Sequence, residues 1–577
     1  MDKKSIFLLL QSIKLNVAGK SLFQWKLSDN ITQTRINIII FGFSFIFLII
    51  AVRLIYVASN NDIALKNILQ TQSMPRLDIV DRNNNLLAVN LPGASLFASP
   101  NKVIDPEDAV NKLLSVIQGL DKNKVLSDLK SNKKFVWIKR DITPLEHEKI
   151  YNLGMPGFSF EREQKRIYPY GNLLSHVVGY VGRDMNGLAG VEKFYDKYLS
   201  LQEDIKDQSM KGEKLQLSID VRVQNILSEE IDYVMKKFNA KGASGIIADP
   251  NTGEILALVS KPDFDPHNPG NANADDLFNM STQGVYEIGS SMKGLTIAIG
   301  LDTNIITIND AYDLSYLKVN GFQVKDTYSM KGWHSVPHIF LKSSNIGVSQ
   351  IMIEIGKKNL LDYLRKLHLL EPLKIELAER ARPLFPNYSR WNDLSLTTMS
   401  YGYGISISPA HFVQAMIPLV NGGTLYPLTL VKRDVKIPLI GEQVFAKKTS
   451  DEMKKLMRLV VSEGTGRKAE VEDYYVGGKT GTAYMVQGGK YNTNKRISSF
   501  FGIMPATNPK YMIYIVYNDP KGNKETFGFS GGGWTAAPTA GAVLKRLVAL
   551  FGIPKLDKDS DEVIELNNIE YKIKDET

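Results

Sequence analysis

Tyr286-Glu287-Ile288-Gly289-Ser290-Ser291-Met292-Lys293-Gly294-Leu295-Thr296-Ile297-Ala298-Ile299 is the stretch on which the reading of this chain turns. Gly289 punctuates its start, and the apolar run from Leu295 predicts a helix with Ser290 at its head. Free backbone N–H groups and the positive end of the helix dipole gather there. A lysine three residues on lies on the same helix face. A hydroxyl and an amine can therefore meet. Taken alone, the string describes a capped helix with a solvated lysine equally well.

Two further motifs follow in order. Ser343-Ser344-Asn345 offers a second hydroxyl and an amide, groups able to relay a proton and hold a substrate carbonyl. Lys479-Thr480-Gly481-Thr482 falls on a predicted strand, where Gly481 permits close backbone approach and the flanking side chains present a cation and two hydroxyls to a carboxylate. A polar edge strand would read the same way.

Around these motifs the apolar pattern predicts an antiparallel sheet with helices on its faces, an α/β (α+β) domain. Val223, Ile226, Leu227, Ile231, Val234 and Phe238 recur at helical spacing. Ala243–Asp249 and Glu254–Ser260 flank Pro250-Asn251-Thr252-Gly253 and read as a hairpin. Gly478–Val486, Ser498–Met504 and Tyr511–Tyr517 read as three more strands, and about 537–550 as a closing helix. Upstream, Leu77–Val80 and Leu86–Val89 flank Asp81-Arg82-Asn83-Asn84-Asn85, a turn suited to Asx side chains.

The 577 residues leave room for two to four domains. Residues 36–58 form the one strongly apolar stretch, long enough to span a bilayer. Lys3, Lys4, Lys14, Lys20, Lys26 and Arg35 precede it, against Asp2 and Asp29, which predicts a cytoplasmic N-terminus. A cleaved leader ending near Val57-Ala58-Ser59 is the alternative. The expected organisation is a basic tail at 1–35, an anchor at 36–58, a pedestal at 59–220, the sheet domain at 221–554 and a charged, solvated tail at 555–577. A net charge of +9 from 70 basic and 61 acidic residues is ordinary surface, and no nucleic-acid partner is expected. No Cys is present, which removes disulfides, thiolate catalysis and Cys-type zinc sites. His334 and His338 have i, i+4 spacing, but Gly332, Pro337 and the missing H-E-x-x-H glutamate argue against a zinc helix. No metal and no cofactor is expected.

Taken together the three motifs resemble those of the penicillin-binding proteins of the monofunctional, class B kind. The resemblance covers nearly everything after the anchor. It includes Ala248–Ala257, Glu463-Gly464-Thr465-Gly466, and in the pedestal Arg76, Asp81-Arg82-Asn83, Arg166-Ile167-Tyr168-Pro169 with Gly171 and His176, and Gly187–Glu192. Lys342–Ser349 and Tyr401-Gly402-Tyr403-Gly404 suit the cell-division type, and the elongation type more often carries Asp where Asn345 stands. Ile288, Leu77 and Asn84 depart from the family's proline and glycines. Asn84 suits a left-handed turn, whereas Leu77 calls the local pedestal backbone into question.

The resemblance implies a five-stranded antiparallel sheet flanked by helices, an extended α+β pedestal, and peptidoglycan D,D-transpeptidase activity. Ser290 is then the nucleophile and Lys293 its base, with Ser343 and Asn345 completing the catalytic set. Lys479, Thr480, Gly481 and Thr482 bind the substrate, with Lys479 expected to stay charged. Implied partners are D-Ala-D-Ala stem peptides with an acceptor amine, β-lactams, a polytopic lipid II glycosyltransferase and other division proteins. The implied location is the bacterial inner membrane, single-pass, with the catalytic domain periplasmic. An elongation-type enzyme, a non-enzymatic β-lactam sensor or division scaffold, and a β-lactamase share the fold and remain alternatives. A serine–histidine hydrolase lacks its G-x-S-x-G elbow, and no glycosyltransferase motif precedes residue 220.

Overall fold

The computed structural model describes residues 37–56, 76–200 and 214–571. The basic tail and the Val57-Ala58-Ser59 site lie outside them. The chain divides into two compact units, one ending at Met74 and one beginning at Pro75. In the first, Asn37–Tyr56 forms a helix of 20 residues with mean hydropathy 2.8, among the described residues the one helix long and apolar enough to cross a membrane.

In the second unit the central sheet is wholly antiparallel. Its spatial order is Gly477–Gln487, Lys490–Met504, Tyr511–Asn518, Gly242–Ala248, Ile255–Lys261. The five runs expected as strands of this domain all lie in it, although the one expected at Ser498–Met504 begins earlier, at Lys490. The last pair closes through Gly253, and the third strand and the second from Ile497 onward are buried because helices cover both faces. On one face, helices Val221–Lys237 and Ala536–Phe551 pack Leu227, Ile231, Val543, Leu544 and Leu547 against Ile247, Phe500, Ile513 and Ile515. On the other lies the core of the Lys293–Asp302 helix, which buries Leu295, Ile297, Ala298 and Ile299. Buried on all sides, it shows no amphipathic stripe in the sequence.

The pedestal is built on a long strand, Leu86–Ala98, paired with Asp78–Val80, Val136–Ile142 and Phe158–Ile167. The expected turn forms: Asp81 Oδ1 accepts the N–H groups of Asn83 and Asn85 at 2.7 and 2.8 Å, and Asn84 takes φ 67°. Leu77 is not among the residues with positive φ, so its position does not demand glycine. Its N–H donates to Leu199 O at 2.8 Å, and its O accepts Arg166 Nη2 at 2.8 Å. The pedestal motifs converge on Glu192, which is fully buried: Arg76 Nε and Arg166 Nε hold its two oxygens at 2.5 and 2.7 Å. Asp196 takes Arg76 Nη1 at 2.7 Å.

The C-terminal segment differs from the solvated tail its charge predicted. Asp561–Asn567 is a helix that buries Val563 and Leu566, and Lys455 pairs with Glu565 at 3.2 Å. Two apolar residues three apart among acids make a one-sided contact, which overall charge conceals.

Candidate active site

Ser290 lies in a 3-10 turn, Gly289–Met292, that runs directly into the helix beginning at Lys293. It is half-buried, while Lys293 is fully buried beneath it. Gly481 explains how the lysine strand reaches this turn. A Cβ there would stand 2.3 Å from Ser499 Oγ, 2.4 Å from Ser291 Oγ and 2.9 Å from Ile288 O, so only a bare backbone fits.

The helix Val336–Lys342 ends at Ser343, a non-glycine residue in the left-handed region (φ 58°, ψ 46°), and the next helix begins at Asn345. This break presents the Ser343 side chain to two cations. Lys293 Nζ donates to Ser343 O at 2.6 Å, Ser343 Oγ at 3.1 Å and Asn345 Oδ1 at 2.7 Å. Lys479 Nζ donates to the same Ser343 Oγ at 3.0 Å and to Thr480 O at 3.1 Å. Lys293, Ser343, Asn345 and Lys479 thus form one hydrogen-bonded group. Ser290 stands at its edge, with no hydrogen bond to its hydroxyl among the described residues. Thr480 Oγ1 is 2.6 Å from Thr465 Oγ1, which ties the lysine strand to the preceding Gly464–Gly466 loop. Thr482 is exposed; its Oγ1 donates to Gly481 O at 2.9 Å and accepts Gly532 N–H at 3.3 Å.

Electrostatics separate the two lysines only in degree. Burial, then the neighbouring Lys479 charge, pushes Lys293 well below the ordinary lysine range, with Asp326 opposing. Lys479 is also lowered, to about 7, by desolvation. With 1% of its surface exposed, Lys479 loses most of its hydration, which works against the ammonium expected of it.

Asp326 is the residue that motif reading missed. Its carboxylate accepts Ser344 Oγ at 2.7 Å, Ile346 N–H at 3.1 Å and Asn345 N–H, while Lys325 O takes Asn345 Nδ2 at 2.8 Å. An anion over the first turn of that helix satisfies its free N–H groups and fixes Asn345 with its Oδ1 on Lys293. No spacing rule links residues 326 and 345. His334 Nδ1 and His338 Nδ1 are 2.8 Å apart, and no group of three His, Cys, Asp or Glu suited to a metal occurs among the described residues.

A five-stranded antiparallel sheet between helical layers, a serine at the head of a buried helix, two buried lysines around a second serine, and a pedestal define the architecture of the active-site-serine penicillin-binding folds. Comparison with known proteins agrees. The penicillin-binding protein transpeptidase domain matches residues 243–545, and the penicillin-binding protein dimerisation domain matches residues 71–222. The probable peptidoglycan D,D-transpeptidase FtsI of Caulobacter vibrioides is 37% identical over 495 residues, 83% of this chain and 82% of that protein. The peptidoglycan D,D-transpeptidase FtsI of Escherichia coli K12 is 29% identical over 508 residues, 84% and 85% of the two chains. In fold, penicillin-binding protein 3 of Mycobacterium tuberculosis, solved with aztreonam, superposes with TM-score 0.66 at 21% identity, covering 84% of this chain and 98% of that one. This chain belongs to the penicillin-binding-protein transpeptidase family.

Proposed function

We propose that the protein is a peptidoglycan D,D-transpeptidase that cross-links stem peptides through an acyl-enzyme on Ser290, in septal wall synthesis. The observation that carries this reading is the bridging of Lys293 and Lys479 by Ser343 Oγ beneath the Ser290 turn.

A serine hydroxyl needs a base. Lys293 can be one because burial and Lys479 favour its neutral amine. Ser290 Oγ attacks the carbonyl of the penultimate D-alanine and passes its proton to Lys293. By the family resemblance, the backbone N–H groups of Ser290 and Thr482 receive the oxyanion, a contribution of a few kcal/mol in enzymes of this design. Ser343 Oγ already accepts two N–H bonds, so its own proton is left to donate to the departing amine of the terminal D-alanine. An acceptor amine then attacks the ester, returns a proton by the same route and frees Ser290. Lys479, Thr480 and Thr482, with Gly481 between, receive the substrate carboxylate, whose charge draws Lys479 back towards its ammonium form. A β-lactam follows the first half of this path, and its ring keeps the leaving group in place.

Support for the septal role comes from the relatives named FtsI and from Asn345 in the second motif. The proposed organisation keeps a cytoplasmic segment at 1–35, an anchor at 36–58, a pedestal at 59–220, the catalytic domain at 221–554 outside the membrane, and a tail at 555–577. The pedestal is the surface offered to a polytopic glycosyltransferase and other division proteins. Purified full-length protein, given a D-Ala-D-Ala donor and an acceptor amine, should release D-alanine and form a cross-linked dimer. Absence of both products with properly folded protein overturns the reading. A reporter fused after residue 577 should be active only outside the cytoplasm. Depletion in cells should give filaments, whereas rounded cells would favour the elongation role.

A further inference from the structure

Glu287, three residues before Ser290, has no part in the proton path, yet its carboxylate joins three segments around the cleft. Tyr286–Glu287 is a short strand paired antiparallel with Ser406–Ile407. Glu287 Oε1 accepts the backbone N–H of Gly404 at 2.6 Å and the hydroxyl of Tyr491 at 3.0 Å. Its Oε2 is buried without a hydrogen-bond partner. Leaving a buried carboxylate oxygen unmatched is unfavourable, so the site keeps a charged-type side chain where an apolar one would bury more cheaply. Desolvation accordingly raises Glu287 above the usual carboxylate range.

Each contact reaches a segment that shapes the site. Gly404 ends the Tyr401–Gly404 turn, whose Gly402 O accepts the N–H of Gly289, the residue before the nucleophile, at 3.2 Å. Gly402 has φ 86°, and a Cβ there would stand 2.1 Å from Gly289 O, so turn and nucleophile segment touch backbone to backbone. Tyr491 belongs to the strand paired with the lysine strand, and it faces Val486 beyond the Lys479–Thr482 stretch. Tyr403 adds a parallel tie: its hydroxyl accepts the N–H of Tyr484, two residues past Thr482, at 3.1 Å, and its ring meets Tyr491 edge-on at 5.3 Å.

We propose that Glu287 is a positioning residue, which fastens the Tyr401–Gly404 turn and the outer end of the lysine-strand hairpin to the segment presenting Ser290. It thereby sets the distance between the nucleophile and the Thr482 backbone. The inference rests on the reading of Ser290 as the acylated residue and goes beyond it. A small misplacement of reacting groups lowers the rate of the chemical step without a matching loss of binding.

The test compares Glu287→Ala, Glu287→Gln and Tyr491→Phe in the full-length protein, with a fluorescent penicillin, separating the acylation rate constant from the dissociation constant. Glu287→Ala should lower the rate constant about tenfold with the dissociation constant little changed. Gln can accept the same two bonds, so Glu287→Gln should stay within about threefold of the parent even though its buried amide lowers the thermal midpoint. Tyr491→Phe should cost about threefold alone and nothing further in the Glu287→Ala background. A purely structural role predicts the opposite ranking, with loss following thermal midpoint and Gln impaired. Parent-like acylation by Glu287→Ala, or an undiminished Tyr491→Phe effect in its background, overturns the proposal. If Glu287→Ala fails to fold, a parent-like rate for Tyr491→Phe overturns it instead. A parent protein that is not acylated at all defeats the Ser290 reading, and that result is seen before any variant is compared.

Discussion

In the proposed mechanism the two lysines beside Ser343 do different work with the same functional group, Lys293 as base and Lys479 as the carboxylate's partner, although burial lowers both. Lys293 must be neutral when Ser290 attacks, and its surroundings favour that state. Replacing Lys293 with Met removes the base and should slow acylation at least about a hundredfold for every β-lactam. Lys479→Gln should instead weaken ligands that carry the carboxylate, about tenfold, and spare a carboxylate-masked analogue. Because Lys479 sits at about 7, the free enzyme loses its ammonium as pH rises through neutrality. Affinity for carboxylate-bearing ligands should therefore decline with rising pH there, and the decline should be absent in Lys479→Gln. Asp326 raises Lys293 against the other influences. Asp326→Asn removes that support, lowers the base further and should move the acid limb of the acylation profile to lower pH. It should also cost about 1–2 kcal/mol of stability through the weakened helix start. A limb that moves to higher pH would contradict this assignment.

At the scale of elements, the sheet was readable because Gly242–Ala248, Ile255–Lys261, Tyr511–Asn518 and the second half of Lys490–Met504 are bounded apolar runs, and the hairpin turn at Pro250–Gly253 carries its own chemistry; the polar first half of Lys490–Met504 was not. The three motifs were readable because each holds its residues within four positions. What joins them was not. Asp326 meets Ser344, Asn345 and Ile346 through loop closure, Glu287 meets Gly404 and Tyr491, and neither contact has a sequence period. The desolvation of Lys479 was illegible for the same reason, since it depends on neighbours such as Phe340 and Ser343 that only the fold assembles. Gly481 tests the packing of the lysine strand on the nucleophile turn. Gly481→Ala should cost about 1–3 kcal/mol and sharply reduce acylation, because the strand must move away from Ser291 and Ser499. Thermal unfolding together with penicillin labelling measures both, and unchanged labelling would show that the strand position is not critical.

Across the whole second unit, polar joints tie the pedestal to the catalytic region: Asn279 Nδ2 donates to His176 O at 3.1 Å, and the Gly190 N–H donates to Glu379 Oε2 at 3.0 Å. Glu192 with Arg76 and Arg166 fixes the pedestal motifs, and Asn83 Nδ2 reaches Asp220 Oδ2 at 3.0 Å where the chain enters the catalytic region. Glu192→Ala would leave Arg166 buried without its carboxylate and Arg76 with Asp196 alone, and should cost about 3–5 kcal/mol in denaturant unfolding. Chemistry at Ser290 in the surviving folded molecules should be little affected. The central claim, that Ser290 is the acylated serine, with Lys293, Ser343 and Lys479 serving it, is tested most directly by intact-protein mass spectrometry of the full-length protein after incubation with benzylpenicillin. The account predicts a single long-lived adduct, mapped by peptide digestion to Ser290 and absent from Ser290→Ala. An adduct mapped elsewhere, one that persists in Ser290→Ala, or rapid release of hydrolysed drug as from a β-lactamase would contradict it.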